Sequence, residues 1–318
     1  MANASASVKG VPAAGGFEEE RRRVRGQRTR RLLKPYLFIA PWLLGVLIFY
    51  AYPIVASLYF SFNNYDVLRP PVWIGLENYK TLIENYYSRQ ALTNTLIYVA
   101  FAVPFGLFTG LLYAVLLNTR IRGQQAYRTL MMLPAAIPIA ASAAIWVFLW
   151  NPAYGLVNSI LATVGLPWRQ TWIASPAMVK WIFITMQIVY GLGILVFLAG
   201  LQGVPTEVYD AAKVDGATGA RQFFYITIPL LTPYILYNML IGLIAAFQYF
   251  TFPMLMTKGG PSGGSTFYGQ FLYDQAFTFF KMGYASALAW VLFLICIVVV
   301  VLILRSSASW VHYTSGGE

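Results

Sequence analysis

MGYASALAWVLFLICIVVVVLIL, residues Met282–Leu304, runs for 23 residues without an Asp, Glu, Lys or Arg. An α-helix needs about 20 apolar residues to cross the ~30 Å of hydrocarbon in a bilayer. Five more stretches are equally free of charge: Tyr36–Tyr65, Ala91–Thr119, Thr129–Trp168, Trp181–Thr206 and Gln222–Thr257. Buried in lipid, a chain must pair every backbone N–H and C=O internally, which leaves helices or closed barrels. None of these runs alternates with the period of two that barrel strands show. The expected fold is therefore an all-α polytopic membrane protein with six transmembrane helices.

Working outward, the composition agrees. The chain has 318 residues, 58% hydrophobic and 10% charged, against about 25% charged in a soluble domain. Its net charge is +11, and eight of its 22 Lys and Arg residues lie in Arg21–Lys34, just ahead of the first run. With six spans and that cluster inside, fifteen basic residues fall on the cytoplasmic side and seven outside. That follows the positive-inside rule and puts both termini in the cytoplasm. The cluster reads as a topology anchor against anionic lipid rather than a nucleic-acid arm, so no nucleic-acid partner is expected. TRRLLK (Thr29–Lys34) resembles a twin-arginine export signal, yet the apolar run after it far exceeds the ~7–15 residues of a signal core. It reads as a retained helix. Cys296 and His312 are the single Cys and His, which leaves no disulfide framework, no metal site and no Ser-His-Asp arrangement.

The expected organisation is a flexible cytoplasmic tail (1–34), a first span (35–62), an external segment (63–90), a core with five spans (91–305) and a cytoplasmic tail (306–318). Within the core the spans are placed near 91–117, 127–150, 178–200, 230–256 and 284–304. NPAYG (Asn151–Gly155) breaks the chain, and LVNSILATVG after it is too short to cross and is expected to lie on the outer surface. Trp73, Tyr79, Tyr86 and Tyr87 suit an interfacial belt.

One stretch departs from this apolar pattern. EVYDAAKVDGATGARQFFYITIPLL (Glu207–Leu231) carries five charges in its first fifteen residues. Glu207, Asp210, Ala211, Lys213, Val214 and Ala217 recur at helical spacings. Ala211, Ala212 and Gly216 are small, and Gly216 suits the left-handed conformation that ends a helix. Pro229 suits the first turn of the next span. The spacing predicts a short helix, a glycine turn and a second short helix, offering small residues and an acid to a soluble partner.

Asp210-Ala211-Ala212, then Gly216, then Ile226-Thr227-Ile228-Pro229 resembles the signature loop of bacterial ABC import permeases, E-A-A, three residues, G, nine residues, I-x-L-P. Asp stands for Glu and Ile228 for Leu. Val214-Asp215-Gly216-Ala217 fits the same loop. PYLFIAPWLLGVLIFYAYPIVASLYFSF, WIGLENYKTL, FLAGLQGVP (Phe197–Pro205) and TKGGP (Thr257–Pro261) are similar to the first, MalF-like permease of carbohydrate importers.

The resemblance implies a type I importer permease fold in a bacterial or archaeal cytoplasmic membrane. It implies a pathway shared with a second permease subunit, two cytoplasmic ATP-binding subunits and an extracytoplasmic solute-binding protein. ATP and Mg would sit on the ATPases, with no cofactor and no catalysis on this chain. The coupling loop would be 203–229, with Glu207, Asp210, Ala211, Ala212, Asp215, Gly216, Ala217 and Pro229 as its docking residues. Asp210 is expected to pair with a basic ATPase residue, and removing one member of such a pair costs roughly 2–5 kcal/mol.

GGPSGGST (Gly259–Thr266) matches a phosphate-binding loop except for Ser265 at the lysine position. It is expected to be a flexible external loop, which in this family faces the binding protein. Polar groups inside spans are costly and often functional. On that ground Gln187, Tyr190 and Gly191 in the fourth span, and Asn238, Gly242, Gln248 and Tyr249 in the fifth, are candidate pathway residues for a neutral sugar. Helix packing is the competing reading for these residues, Tyr190, Gln248 and Tyr249 included, and anchoring at an interface is a further one for the tyrosines. Other readings are an importer of glycerol phosphate or a related solute, and a stand-alone secondary carrier. The carrier reading wants ionisable groups at the midplane and paired broken helices, which the sequence does not show.

Overall fold

The computed structural model describes residues 36, 38–119, 122–165 and 171–312. The basic tail, Arg120, Arg169 and the last six residues lie outside them. The chain divides between Tyr59 and Phe60 into two units.

The first unit is most of helix α1 (Phe38–Ser61), whose large apolar side chains, Phe38, Trp42 and Phe49 among them, are exposed. A 24-residue helix of that kind has hydrocarbon as its natural solvent. Its middle widens into a π turn at Leu47–Ala51, just before Pro53. A proline removes one donor and drives its ring toward the carbonyl four residues back, here Phe49, inside the widened turn.

The second unit opens with a two-residue antiparallel ladder, β1 (Asn63–Asn64) with β2 (Val72–Trp73), and helix α2 (Glu77–Glu84). Buried Asn78 ties them, donating to the carbonyls of Ser61 and Asn63, both at 2.9 Å. The organising element is α3 (Tyr86–Asn118). Its buried residues, Ala91, Thr95, Tyr98, Ala102, Gly106, Gly110, Ala114 and Leu117 among them, recur at three- and four-residue intervals and form one stripe.

Helices α4 (Gln124–Ala136), α5 (Ile139–Leu149), α6 (Leu156–Thr163), α7 (Val179–Tyr190) and α8 (Ile194–Gln202) follow. Then come α9 (Thr206–Val214), α10 (Gly219–Gln222), α11 (Ile228–Phe247), α12 (Thr251–Met256), α13 (Tyr268–Tyr273) and α14 (Met282–Ser307). The first half of the α3 stripe packs on Ile182, Phe183 and Met186 of α7 and on Leu243 and Phe247 of α11. The second half packs on Ile194, Phe197 and Leu201 of α8 and on Leu231 of α11. So α7 and α8 run parallel to α3, and α11 antiparallel. At the Tyr86 end, Ala91 meets Tyr268, Tyr284 and Leu288 of α13 and α14. At the Asn118 end, the His312 backbone N–H donates to Thr232 Oγ1 (2.9 Å).

Helices lie over the expected spans, with three differences. The span placed at 127–150 is the pair Gln124–Pro134 and Ile139–Leu149, bent by 88°. Ile137 is extended (ψ 130°) ahead of Pro138, as a residue before proline prefers. Five helices are long and apolar enough to cross a bilayer, six if this pair is one span. The fourth span breaks at Gly191-Leu192-Gly193, between α7 and α8, with both glycines at positive φ (66° and 70°). The break's backbone is satisfied from outside the helix, Leu192 N–H donating to the Gly106 carbonyl at 2.7 Å. The fifth span ends at Phe247 rather than 256, and α12 starts anew after Gln248–Phe250.

Candidate functional site

Local chemistry explains the helix–turn–helix loop. Helix α9 starts after Pro205 and ends at Gly216, φ +75°. The Ala217 N–H donates to the Ala212 carbonyl (2.9 Å) and the Gly216 N–H to that of Lys213 (3.0 Å), the paired bonds of a Schellman ending. The second arm is α10 and then a π turn, Phe223–Thr227. Pro229 sits in the first turn of α11, and the carbonyl its ring would strike belongs to Tyr225, inside that π turn. The signature proline therefore sets the wide turn at the base of the fifth span.

Glu207, Asp210, Ala211, Asp215 and Gly216 are exposed, and Ala212, Ala217 and Pro229 are half-buried. Asp210 accepts from Lys213 Nζ (2.8 Å), with both side chains more than 60% exposed. Such a surface pair contributes about 0–1 kcal/mol and leaves the carboxylate open to another cation. Val214 is 88% exposed, and Phe224 and Tyr225 are 66% and 78% exposed. Nothing lies within 4 Å of a side chain built at Gly216 or Gly219, so the face is open to close approach.

Two links brace the arms. Tyr209 Oη and Thr227 Oγ1 share a hydrogen bond of 2.9 Å, and Gln222 Nε2 donates to the Ala217 carbonyl (3.0 Å). The sequence reading missed Tyr209 and Thr227. A tyrosine and a threonine eighteen positions apart meet only once the π turn has rotated Thr227 inward, where it is 5% exposed.

The seven pathway candidates do not converge on one site. Gln187, Gly242 and Tyr249 line one cavity of about 70 Å³ with Tyr98, Ala102 and Leu192, well below the ~300 Å³ at which small-molecule pockets begin. Tyr249 stacks on Tyr98, ring centroids 4.3 Å apart. Tyr98 lies outside the seven candidates, although a tyrosine inside the second uncharged run is the same signal in the sequence.

Gly191, Asn238 and Gly242 serve the break. Leu192 fills the space a side chain at Gly242 would need, its backbone presses on Gly110, and Asn238 lies against Gly193. Asn238 is 4% exposed and its Nδ2 has no hydrogen-bond partner among the described residues. These three lie where the break packs against α3 and α11. Tyr190 leaves the fourth span to meet α5, its hydroxyl bonded to Ser142 and accepting from Trp146 Nε1 (2.9 Å). Gln248 is exposed beside a separate apolar groove with Cys296.

The loop Gly259–Thr266, expected to be flexible, is pinned. Ser265 is fully buried and donates to the Gly260 carbonyl (2.6 Å), Thr266 Oγ1 donates to that of Gly259 (3.1 Å), and Asn94 Nδ2 holds the carbonyls of Gly263 and Thr266. The hydroxyls of Ser265 and Thr266 and the carbonyls of Gly263 and Thr266 thus hold the loop's shape and fasten it to α3.

A family model described as "Binding-protein-dependent transport system inner membrane component" matches residues 92–311. The chain is 39% identical to the "Probable ABC transporter permease protein YesP" of Bacillus subtilis (strain 168), the match covering 90% of this chain and 94% of that one. It is 33% identical to the sn-glycerol-3-phosphate transport system permease protein UgpA of Escherichia coli (strain UTI89 / UPEC), over 88% and 95% of the two chains. Among solved structures, a chain of a bacterial alginate ABC transporter, crystallised with an alginate pentasaccharide-bound periplasmic protein, matches with a TM-score of 0.76 at 24% identity. That match covers 88% of this chain and 96% of the other.

Proposed function

The chain belongs to the family of binding-protein-dependent transport system inner membrane components, and we propose that it forms half of the pathway of an ATP-driven importer for a sugar or oligosaccharide. The observation that carries the reading is the braced helix–turn–helix Thr206–Thr227, exposed at the Asn118 end and continuous with the fifth span. In this reading the loop docks on a cytoplasmic ATPase through Glu207, Asp210, Ala211, Ala212, Asp215, Gly216 and Ala217. A second permease completes the pathway, and two ATPases hold ATP and Mg. A solute-binding protein delivers at the Tyr86 end, and both termini lie in the cytoplasm. Hydrolysis belongs to the ATPases, not to this chain.

The mechanics follow from the packing. ATP shifts an equilibrium between two arrangements only through its differential affinity for them, so the loop stays in contact with the ATPase in both. Motion of α9 reaches α11 through the Tyr209–Thr227 bond and the π turn. From α11 it reaches Gly242, against Leu192 at the break, and Tyr249, against Tyr98 of α3. The break, with glycines that let Leu192 sit between α3 and α11, is where the bundle has a joint. Amide and aromatic groups at Gln187, Gln248, Tyr249 and Tyr98 suit a sugar's hydroxyls and C–H faces.

Uptake into vesicles reconstituted with the purified complex tests the reading. It predicts sugar accumulation that requires ATP and the binding protein. Accumulation driven by a proton gradient without ATP contradicts it.

A further inference from the structure

We propose that a pocket at the Tyr86 end is a recognition site for an acidic sugar, a saccharide carrying a carboxylate. The proposal rests on the importer reading, which makes this the end where solute arrives. The pocket has a volume of about 450 Å³ and is lined by Arg89, Lys180, Gln90, Thr93, Asn94 and Tyr86, among others. That lies within the range of roughly 300–1,000 Å³ found for small-molecule sites.

Its charge needs a cause. Arg89 stands in the first turn of α3 and Lys180 in the first turn of α7, and neither helix has an acid in its first turn. Helix N-termini carry partial positive charge and favour acids there, not cations. Among the described residues the ion pairs are Arg69–Asp66 and Lys213–Asp210, so neither pocket cation is neutralised by a carboxylate. Two cations converging from two helices onto one polar hollow leave a positive potential that an anion relieves.

The site is also built. Lys180 Nζ donates to Asn94 Oδ1 (3.4 Å). Asn94 is 3% exposed and fixed by its two bonds to the pinned glycine loop, 3.0 Å and 3.1 Å. Gln90 Nε2 holds the Ser262 carbonyl (3.3 Å). The loop that resembles a phosphate cradle is thus the floor support of this pocket. Its groups sort by chemistry: Arg89 offers a planar fork to a carboxylate, Thr93 and Gln90 offer partners to hydroxyls, and the exposed Tyr86 ring suits a sugar's C–H face. A neutral sugar uses the last two and leaves both cations unanswered. A single acidic side chain from a docking protein uses the cations and leaves a saccharide-sized space unfilled.

Equilibrium dialysis of the full chain, purified with whatever subunits accompany it and without the binding protein, tests this. The probes are a radiolabelled hexuronic acid trisaccharide and the same trisaccharide with its carboxyls reduced. The proposal expects the acid form to bind at least about tenfold more tightly than the reduced form. Arg89→Gln and Lys180→Gln each erase that preference, their elution on gel filtration serving as the folding control. Equal binding of both forms, preference that survives both substitutions, or no binding of either overturns it. The same holds if the variants bind saccharide normally but demand more binding protein to stimulate ATP hydrolysis, which would make the pocket a docking surface. An importer reading that fails shows differently, as an ATPase missing from the purified complex.

Discussion

The hydroxyls of Tyr209 and Thr227, 2.9 Å apart, join the first arm of the exposed loop to the base of the fifth span. A net hydrogen bond of this kind contributes about 1 kcal/mol, a factor of about five in an equilibrium. In solute imported per ATP hydrolysed, Tyr209→Phe and Thr227→Val should each lose about that factor while the ATPase stays bound. Thr227→Ser keeps the hydroxyl and should retain coupling, and the double variant should be no worse than either single one. Unchanged stoichiometry in Tyr209→Phe and Thr227→Val would remove the link from the mechanism.

Gly193 and Gly216 share a left-handed backbone, φ 70° and 75°, but not a neighbourhood. A side chain at Gly216 meets open space and one at Gly193 meets Asn238. Gly216→Ala should cost only the backbone strain, on the order of 1 kcal/mol. Gly193→Ala adds overpacking, typically about 1–3 kcal/mol more. Thermal unfolding in detergent should rank wild type, Gly216→Ala, then Gly193→Ala, and the reverse order of the two variants contradicts the packing described.

The loop was legible in the sequence because its signals are local: charge where the chain is otherwise apolar, a glycine at a helix end, a proline at the next helix start. The spans were legible because lipid forbids charge. The break at Gly191-Leu192-Gly193 was not, since an apolar insert leaves no mark on hydropathy. The bend in the third span had its signal in Pro134 and Pro138, which a count of uncharged residues passes over. Candidate site residues such as Gly242 and Asn238 were found for their polarity or smallness, but what they touch is Leu192 and Gly193, from another span. Sequence spacing does not encode that contact.

Tyr190 bonds both Ser142 and Trp146. Tyr190→Phe strips both of their partner, at about 1–3 kcal/mol for a buried group left unmade. The unfolding temperature should fall while the solute concentration for half-maximal uptake holds. A large change in that concentration with no loss of stability would show Tyr190 acting on the pathway instead.

Burial pushes the Asp274 carboxyl above the usual carboxylate range. The folded state then holds its proton more tightly than the unfolded chain, whose Asp titrates near ~3.9. Stability is therefore favoured at low pH and lost as pH rises through the folded value. Asp274→Asn should unfold at a higher temperature than wild type at neutral pH, the gap closing as pH falls toward about 4. A gap that widens on acidification would show that the carboxylate is stabilised where it sits.

The central claim is that Asp210 and its neighbours dock on an ATPase. The most direct measurement is tagged purification from native membranes in mild detergent, with mass spectrometry of the proteins retained, for wild type and Asp210→Lys. The account predicts a second multi-span permease and a soluble ATPase with the wild type, and loss of the ATPase alone from the variant. A wild type that emerges by itself, or an ATPase indifferent to the reversed charge, would contradict it.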